Sequence, residues 1–507
     1  MSYMKTKNYS ALKSGSDIRG IAVKTAKSDV TLTGEAICDI TRAYLKWLAG
    51  RCGKETVTVA LGNDVRISCE AICTAIEQVA VNCGCRIVYL GMTTTPAMFT
   101  VLNESGWALD GSIMVTASHL PFDRNGLKFF TPDGGLSGED ISEILRIAEN
   151  GEFLPYGEGS VEERNYLDLY CKKLVSVVRA GTNKTAPLFG KRIIVDASNG
   201  VGGFFAKKVL QPLGAITDGS INLLPDGNFP NHEPNPENPE AIKCIADAVV
   251  NTHAEMGIIF DTDVDRAAIV DISGKVLNRD SLIALTSALL LKDGPATIVT
   301  DSVTCDGLTA FIEKRGGKHV RFKRGYRNVI DEAKRRSAEG EHCPLAIETS
   351  GHAAFEENYF MDDGAYLVCK LLVAYALQAE KGAALIDLID DLETPAEEGE
   401  VRLTFTPRSK DFKLEGARVI EEVRFFMGME KGATLPGNDY EGARVSFDKE
   451  NGDGWLLIRQ SVHDPVLPVN FASSTEGGTK IMAKKLYSMV EKYPFLNSRP
   501  LKQFIER

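Results

Sequence analysis

The chain has 507 residues, of which 44% are hydrophobic and 25% are charged, a composition typical of globular proteins with several domains. Its formal net charge of −11 argues against nucleic acid or an anionic membrane surface as the main partner. The best apolar runs, Leu282–Leu291 and Leu371–Leu377, are much shorter than the roughly 18 residues that a membrane span requires.

The spacing of the cysteines and the N-terminal residues indicate the cellular compartment of the protein. The 11 cysteines show no framework spacing, which is typical of free thiols in a reducing compartment. Cys83 and Cys85 form a CxC pair, but no second Cys/His cluster completes a zinc site. The N-terminal residues lack the apolar core of a secretory signal peptide. We therefore expect a cytoplasmic protein.

Three segments share the order strand, loop, amphipathic helix and strand. The first covers residues 56–91, the second begins at Lys191, and the third covers residues 296–322. Short Val/Ile runs followed by apolar residues at three- and four-residue spacing predict βαβ units with parallel or mixed sheets. The glycine-rich residues 199–203 lack the order of a dinucleotide-binding motif, so we interpret them as close packing of a helix on a strand.

The C-terminal part has a different pattern. From about Glu400 it predicts a strand, a helix, and a hairpin around an Asn451-Gly452 turn. A further helix, Lys480–Tyr493, follows residues 473–476, which resemble a helix cap. The sequence therefore predicts three related α/β domains and a smaller α+β domain, divided as 1–165, 166–280, 281–395 and 396–507.

The first of four polar loops follows an apolar strand at residues 111–116 and contains Ser118 and His119, with Lys128 ten residues after the serine. Such loops are of interest because ligands bind beyond the carboxyl ends of strands in open α/β sheets. A serine beside a histidine is compatible with an activated nucleophile. A lone pair of this kind is more often a turn serine and a solvated histidine.

The second loop carries three alternating carboxylates, Asp261, Asp263 and Asp265. In an extended backbone all three side chains point the same way, and such convergence requires a hard divalent cation such as Mg²⁺. The spacing begins like an EF-hand loop, but Arg266 stands where that loop needs glycine. The pattern predicts a magnesium site.

The third loop contains Glu348, Ser350 and His352, whose side chains suit either sugar hydroxyls or a capped turn. The fourth contains Arg459 and Ser461, together with residue 463, a histidine. An arginine fork matches phosphate oxygens, and a serine adds a donor.

These loops, taken in order with several other segments, resemble the α-D-phosphohexomutase family of phosphoglucomutases, phosphomannomutases and phosphoglucosamine mutases. The segments that carry the resemblance are SDIRG (16–20), GNDVRIS (62–68), TASHLPFDRNGLK (116–128), PDGNFPNHEPNPENPE (225–240), DTDVDR (261–266), ETSGH (348–352), DDG (362–364) and WLLIRQSVHDP (455–465). The resemblance implies four domains around a central cleft. It also implies interconversion of hexose 1-phosphate and hexose 6-phosphate, of glucose or mannose, through a hexose 1,6-bisphosphate that also serves as activator.

The resemblance also implies a role for each loop. Ser118 would be the phosphorylated residue, and its phosphate would hold Mg²⁺ together with Asp261, Asp263 and Asp265. The candidates for charge neutralisation are Arg19, Lys128 and Arg266, and the candidates for proton transfer are His119, Lys128 and His352. Glu348 and Ser350 would bind ring hydroxyls, and Arg459 and Ser461 would bind the non-reacting phosphate. We expect a monomer or a homodimer.

The sequence departs from the family pattern at several positions. Leu120 replaces asparagine, Ile347 replaces glycine, and residues 460 and 462–464 replace Pro, Gly, Thr and Glu. Thr262 replaces glycine, and a β-branched residue would be strained there at a positive φ. A phosphoglucosamine mutase, a sugar-phosphate-binding protein without turnover and a metal-dependent phosphatase are the alternatives.

Overall fold

The computed structural model describes residues 7–437, 440–461 and 464–506, without the side chain of Tyr326. Val462 and His463 of the fourth predicted loop lie outside the described residues. The chain divides into two compact units, one of Met1–Thr286 with Ser350–Leu388 and one of Ser287–Thr349 with Ile389–Arg507.

The strands follow the predicted modules closely. In chain order they are β1 (Lys13–Ser14), β2 (Asp17–Ile21), β3 (Thr58–Asn63), β4 (Arg86–Met92), β5 (Gly111–Val115), β6 (Arg124–Thr131), β7 (Gly134–Gly135), β8 (Ser160–Glu163), β9 (Ile193–Asp196), β10 (Met256–Phe260), β11 (Ala267–Asp271), β12 (Val276–Leu277), β13 (Thr297–Asp301), β14 (Lys318–Phe322), β15 (Leu345–Ile347), β16 (Ala353–Phe355), β17 (Met361–Asp362), β18 (Glu397–Phe405), β19 (Ala433–Thr434), β20 (Ala443–Phe447), β21 (Gly454–Ile458), β22 (Val466–Ser473) and β23 (Leu496–Asn497).

The α-helices alternate with these strands in the first three regions. They are α1 (Gly34–Cys52), α2 (Cys69–Asn82), α3 (Thr95–Thr100), α4 (Gly138–Asn150), α5 (Leu167–Thr182), α6 (Pro239–Thr252), α7 (Arg279–Leu290), α8 (Asp306–Lys314), α9 (Tyr326–Ala338), α10 (Gly364–Ala379), α11 (Phe412–Gly428), α12 (Gly478–Val490) and α13 (Arg499–Glu506).

The first unit contains a mixed sheet in the order β1-β2-β6-β5-β3-β4-β8. Strands β3, β4, β5 and β8 run parallel, whereas β6 is antiparallel to both β5 and β2. Helices α1, α2 and α4 cover this sheet with a buried apolar core in which Tyr44 stacks on Phe129 at a centroid distance of 4.4 Å. The antiparallel register pairs Met114 with Lys128, which brings the lysine back beside the end of β5.

The second sheet of this unit has the order β12-β11-β10-β9, with β9 and β10 parallel and β10 and β11 antiparallel. The amphipathic α-helix predicted after β9 was wrong in type, because residues 201–213 form short 3₁₀ and π segments. A Cβ at Gly203 would lie 2.2 Å from the Leu223 carbonyl oxygen, and one at Gly202 would lie 3.1 Å from Phe260. The close packing expected of residues 199–203 is confirmed.

The second unit begins with the parallel strands β14-β13-β15. The antiparallel pair of β16 and β17 that follows in the sequence belongs to the first unit. The C-terminal sheet has the order β19-β20-β21-β22-β18-β23, and its pairs are antiparallel. Three mixed α/β regions and a C-terminal α+β region therefore confirm the predicted fold class, while the domain boundaries stay a prediction.

The C-terminal region confirms one predicted feature and differs from another. The predicted hairpin is confirmed, since β20 pairs with β21 on either side of the turn. The predicted cap of α12 was wrong, because the N-cap is Gly477 and no side chain at that position caps the helix. Glu397 of β18 accepts hydrogen bonds from the Gly477 and Thr479 amides instead, while Ser473 donates to the Gly452 carbonyl.

None of the helices in the described part of the chain is long and apolar enough to cross a membrane. All 11 cysteines lie in that part and are free thiols, as their spacing predicted.

Candidate functional site

Ser118 lies in the loop between β5 and β6, where the main chain adopts an unusual conformation. Its φ is 51°, a left-handed value that costs a residue with a Cβ about 1–2 kcal/mol. The side chain is buried, and its Oγ donates a hydrogen bond of 2.9 Å to Asp261 Oδ2. His119 Nδ1 lies 3.3 Å from the same Oγ. The Ser118 hydroxyl is thus held against a carboxylate in a strained loop.

The guanidinium of Arg66 holds this loop through hydrogen bonds to its main chain. It is buried beside Asp64 at 3.2 Å and donates to main-chain carbonyl oxygens of the loop. These carbonyls belong to Ser118 at 2.5 Å, Leu120 at 2.6 Å, Pro121 at 2.7 Å and Arg124 at 3.0 Å. The Ser118 amide donates to Thr116 Oγ1 at 2.8 Å, so both peptide groups of the strained residue are held.

Asp261, Asp263 and Asp265 come together in the turn between β10 and β11. One carboxylate oxygen from each lies within 4.8 Å of the others, and all three residues are buried. The predicted convergence is confirmed, but the extended backbone from which it was derived was wrong. The chain turns at Val264, whose φ is 65°, and Thr262 is not among the residues with positive φ. The expected strain therefore falls on Val264 rather than on Thr262.

The turn is held by the segment that begins α10. The Gly364 amide donates to the Val264 carbonyl at 3.1 Å, and a Cβ at Gly364 would lie 2.6 Å from the Arg266 carbonyl carbon. Only glycine permits that approach without a main-chain shift. On the other side, the Val201 amide donates to the Thr262 carbonyl at 2.9 Å.

The carboxylate oxygens of this turn fit a hard divalent cation. Oδ1 of Asp263 and Oδ1 of Asp265 are buried and have no hydrogen-bond partner among the described residues. A buried carboxylate oxygen without a partner is costly, and oxygen ligands of this kind suit Mg²⁺. Burial and the nearby Asp265 charge raise the pKa of Asp261 well above its ordinary value. The donor set is therefore one that a cation would stabilise.

Three cationic side chains surround the carboxylates and the serine. Lys128 Nζ lies 3.0 Å from Asp263 Oδ2 and 2.5 Å from Asp265 Oδ2. Arg266 Nε lies 3.1 Å from Asp261 Oδ2. Arg19, paired with Asp17, donates to the Ala117 carbonyl at 2.6 Å. Burial opposes the charge on Lys128, but the two aspartates raise its pKa well above the ordinary value.

Two half-buried histidines lie beside these groups. His352 Nδ1 is 2.8 Å from Ser350 Oγ, and its Nε2 is 3.8 Å from Asp265 Oδ1. Burial, together with the positive charge of Arg266, lowers the pKa of His119 to about 2 and that of His352 to about 3. Both rings are therefore neutral near pH 7, and each then has one ring nitrogen that can accept a hydrogen bond.

The remaining predicted residues lie in the second unit. Glu348 is buried and accepts a hydrogen bond of 2.7 Å from the Gly325 amide. Arg459, at the end of β21, is 7% exposed, and its Nε has no hydrogen-bond partner in the described part of the chain. Ser461 Oγ accepts from the Asp464 amide at 3.2 Å. Residues 348 and 350–352 of the third loop thus belong to different units.

Comparison with known proteins identifies the family. Family models described as phosphoglucomutase/phosphomannomutase, alpha/beta/alpha domains I, II and III, match residues 11–155, 168–274 and 278–394. The chain belongs to the phosphoglucomutase/phosphomannomutase family. The resemblance drawn from the eight short segments is confirmed.

Full-length relatives agree with this assignment. A phosphoglucomutase of Neisseria gonorrhoeae is 31% identical over 485 residues, covering 95% of this chain and 96% of the relative. A phosphomannomutase/phosphoglucomutase of Pseudomonas aeruginosa is 30% identical over 475 residues, covering 91% of each. The crystal structure of a phosphoglucomutase/phosphomannomutase family protein from Burkholderia thailandensis superposes with a TM-score of 0.80 at 25% identity, covering 96% of this chain and 99% of that one.

Sequence reasoning missed several residues that shape the site of this family member. The Asp64 and Arg66 motif was noted without a role, because its carbonyl partners lie more than 50 residues away in the chain. Asn235 and Glu237 lie 3.5 Å and 4.0 Å from Arg266 Nη1, and Thr95 contacts Asp263. Pairings at this separation leave no local signal in one sequence.

Proposed function

We propose that the protein is a phosphohexomutase that interconverts hexose 1-phosphate and hexose 6-phosphate of glucose, mannose or both. The observation that carries the proposal is the 2.9 Å hydrogen bond from Ser118 Oγ to Asp261 within the buried carboxylate cluster. A serine in this position suits a phosphoryl group carried on Oγ. Family membership supplies the reaction class.

In the proposed reaction the phosphoryl group moves from Ser118 to a free hydroxyl of the sugar phosphate. The bond between phosphorus and Ser118 Oγ breaks, and a bond from phosphorus to the sugar oxygen forms. The hydroxyl proton moves to a neighbouring base, for which His119, Lys128 and His352 are the candidates. The resulting hexose 1,6-bisphosphate reorients and returns its other phosphate to Ser118. The cycle regenerates the phosphoserine.

Charge on the transferring group needs neutralisation in such a reaction. Arg19, Lys128 and Arg266 supply positive charge around Ser118. Asp261, Asp263 and Asp265, with the oxygen of Ser118, would hold Mg²⁺. The ion supplies a Lewis acid when bound. Hexose 1,6-bisphosphate is the activator, since it phosphorylates Ser118.

Residues of the third and fourth loops are assigned to recognition of the sugar phosphate. We assign Glu348, Ser350 and His352 to the ring hydroxyls, because a buried carboxylate and a serine-histidine pair offer both acceptors and donors. Arg459 and Ser461 are assigned to the non-reacting phosphate. The Nε of buried Arg459 supports that role. It has no hydrogen-bond partner in the described part of the chain, and a phosphate oxygen would supply the missing acceptor.

The test is an assay of glucose, mannose and glucosamine 1-phosphates with Mg²⁺ and a catalytic amount of hexose 1,6-bisphosphate. The proposal predicts conversion of the glucose or mannose compound to the 6-phosphate and none with Ser118→Ala. Preference for glucosamine 1-phosphate would favour the phosphoglucosamine mutase alternative. Release of inorganic phosphate would indicate a phosphatase, and absence of turnover a binding protein.

The proposal also covers location and assembly. We place the protein in the cytoplasm as a monomer or homodimer, without nucleic-acid or membrane partners. Size-exclusion chromatography with light scattering, against the chain mass of 55.2 kDa, distinguishes the two assemblies.

A further inference from the structure

Three consecutive threonines, Thr93, Thr94 and Thr95, connect β4 to α3, of which Thr95 is the first residue, and all are buried. They have different surroundings. Thr94 is the N-cap of α3 and its side chain accepts from the Ala97 amide at 3.0 Å. Thr93 Oγ1 has no hydrogen-bond partner within the residues that the structure describes. Thr95 contacts the carboxylate turn, which lies 168 residues further along the chain.

Thr95 makes two contacts with Asp263. Its hydroxyl donates to Asp263 Oδ2, and its amide donates to the Asp263 carbonyl at 3.0 Å. Lys128 Nζ reaches the same Oδ2 at 3.0 Å. The two donors therefore occupy one carboxylate oxygen, while Oδ1 of the same side chain remains without a partner in the described chain.

This division of the two oxygens has a physical consequence. A carboxylate rotates about χ2 in a broad, roughly two-fold well, so its two oxygens exchange unless a partner distinguishes them. Donors fixed on Oδ2 leave Oδ1 of Asp263 as the buried oxygen that a cation can bind. Hydrogen bonds of this kind orient metal ligands, and their loss typically costs 10- to 100-fold in metal affinity.

We propose that Thr95 is a positioning residue for the metal site, because its hydroxyl holds Asp263 with Oδ1 directed at the cation. The inference rests on the proposed role of the Asp261, Asp263 and Asp265 cluster as a divalent-cation site. Thr95 lies outside that cluster, and its hydrogen bond would raise the affinity of the cluster for the cation.

The test measures Mn²⁺ binding to the full chain by electron paramagnetic resonance, with no sugar phosphate present. In Thr95→Val the hydroxyl is lost but the amide contact and the side-chain shape are retained. We expect its Mn²⁺ affinity to fall 10- to 100-fold. Thr95→Ser keeps the donor, and we expect its affinity to stay within about threefold of the unaltered chain.

Thr93→Val is the matched control, because it removes a hydroxyl of the same segment that has no described partner. We expect unchanged Mn²⁺ affinity in that variant. The thermal midpoints of both valine variants are recorded beside the titrations. An equal loss of affinity in Thr93→Val, or a loss that Thr95→Ser does not rescue, would show a general packing effect and overturn the inference.

Asp263→Asn separates this inference from the proposed function. If the unaltered chain binds one Mn²⁺ that Asp263→Asn loses, the metal site stands. Unaltered binding in Thr95→Val would then overturn the role of Thr95 alone. Equal binding by the unaltered chain and Asp263→Asn would place the cation elsewhere, and both proposals would fail.

Discussion

Arg66 holds Ser118 by a hydrogen bond of 2.5 Å from its guanidinium to the Ser118 carbonyl oxygen. The same side chain donates to the carbonyls of Leu120, Pro121 and Arg124, so one planar group holds the main chain at both ends of the loop. The left-handed conformation of Ser118 is therefore held by a tertiary contact together with the local hydrogen bond from its amide to Thr116 Oγ1.

We predict that Arg66→Lys lowers kcat by about 100-fold while the protein stays folded, because a lysine cannot bind several carbonyls in one plane and the serine oxygen shifts. Steady-state kinetics and the thermal midpoint check this. Arg179→Lys is the control, since Arg179 binds the carbonyls of Thr185 and Pro212. Full turnover in Arg66→Lys would refute the positioning role.

Mg²⁺ should raise the thermal midpoint of the unaltered chain, because a ligand that binds only the folded state stabilises it by about 2.7 kcal/mol at 100 times its Kd. Asp265→Asn should abolish this shift, since one of the three oxygen ligands loses its charge. Asp39→Asn should retain it, because Asp39 is equally buried but pairs with Lys7 and Arg42. A preserved shift in Asp265→Asn would argue against the cluster as the cation site.

Arg459→Ala should raise KM for the sugar monophosphate by about tenfold to a hundredfold. A charge-assisted hydrogen bond to phosphate is worth about 1.5–3 kcal/mol, and about 1.4 kcal/mol corresponds to one decade. Phosphorylation of Ser118 by a small non-sugar phosphate donor should remain nearly unchanged. Arg402→Ala, an exposed arginine on β18, is the control for loss of charge. A lower melting temperature with an unchanged KM would instead indicate that Arg459 only supports the fold.

The pair of Tyr170 and Asp363 should make stability depend on pH. Burial raises the pKa of Asp363 to about 6, and the Tyr170 hydroxyl, 2.6 Å from Oδ1, opposes that rise. A raised carboxyl pKa means that the stability contributed by the protonated form is present below pH 4 and is lost as the pH rises through 6.

Because the Tyr170 hydrogen bond favours the ionised carboxylate, Tyr170→Phe should cost more at pH 8 than at pH 5. We expect about 1.5–3 kcal/mol at pH 8, the range for a hydrogen bond to a charged group. Differential scanning calorimetry at both pH values measures the difference. Tyr44→Phe is the control, since the Tyr44 hydroxyl donates to main-chain carbonyls and its loss should be independent of pH. Equal losses for Tyr170→Phe at both pH values would contradict the assignment.

The sequence predicted those features that depend on local periodicity. The three α/β regions, the hairpin of β20 and β21 and the free cysteines are confirmed. The α/β regions and the hairpin could be predicted because each leaves a sequence pattern within a short stretch of the chain. The 3₁₀ and π segments at residues 201–213 were missed. The cap of α12 was missed because Glu397, which accepts the hydrogen bond from the Gly477 amide, lies on β18, 80 residues earlier in the chain.

The candidate site shows the same division. The alternation of Asp261, Asp263 and Asp265 predicted a cluster, although the geometry that forms it is a turn at Val264. The role of Thr95 lay beyond sequence reasoning, because its partner is 168 residues away. One sequence therefore indicates which side chains form the candidate site, whereas the contacts that orient these side chains are visible only in the folded structure.

The most direct test of the central claim is to locate the phosphate on the protein during turnover. The chain is incubated with radiolabelled glucose 1,6-bisphosphate and Mg²⁺, and the label is mapped by proteolysis and mass spectrometry. The account predicts phosphate on Ser118, its loss when unlabelled hexose phosphate is added, and no label in Ser118→Ala. Label on a different residue, or full mutase activity in Ser118→Ala, would contradict it.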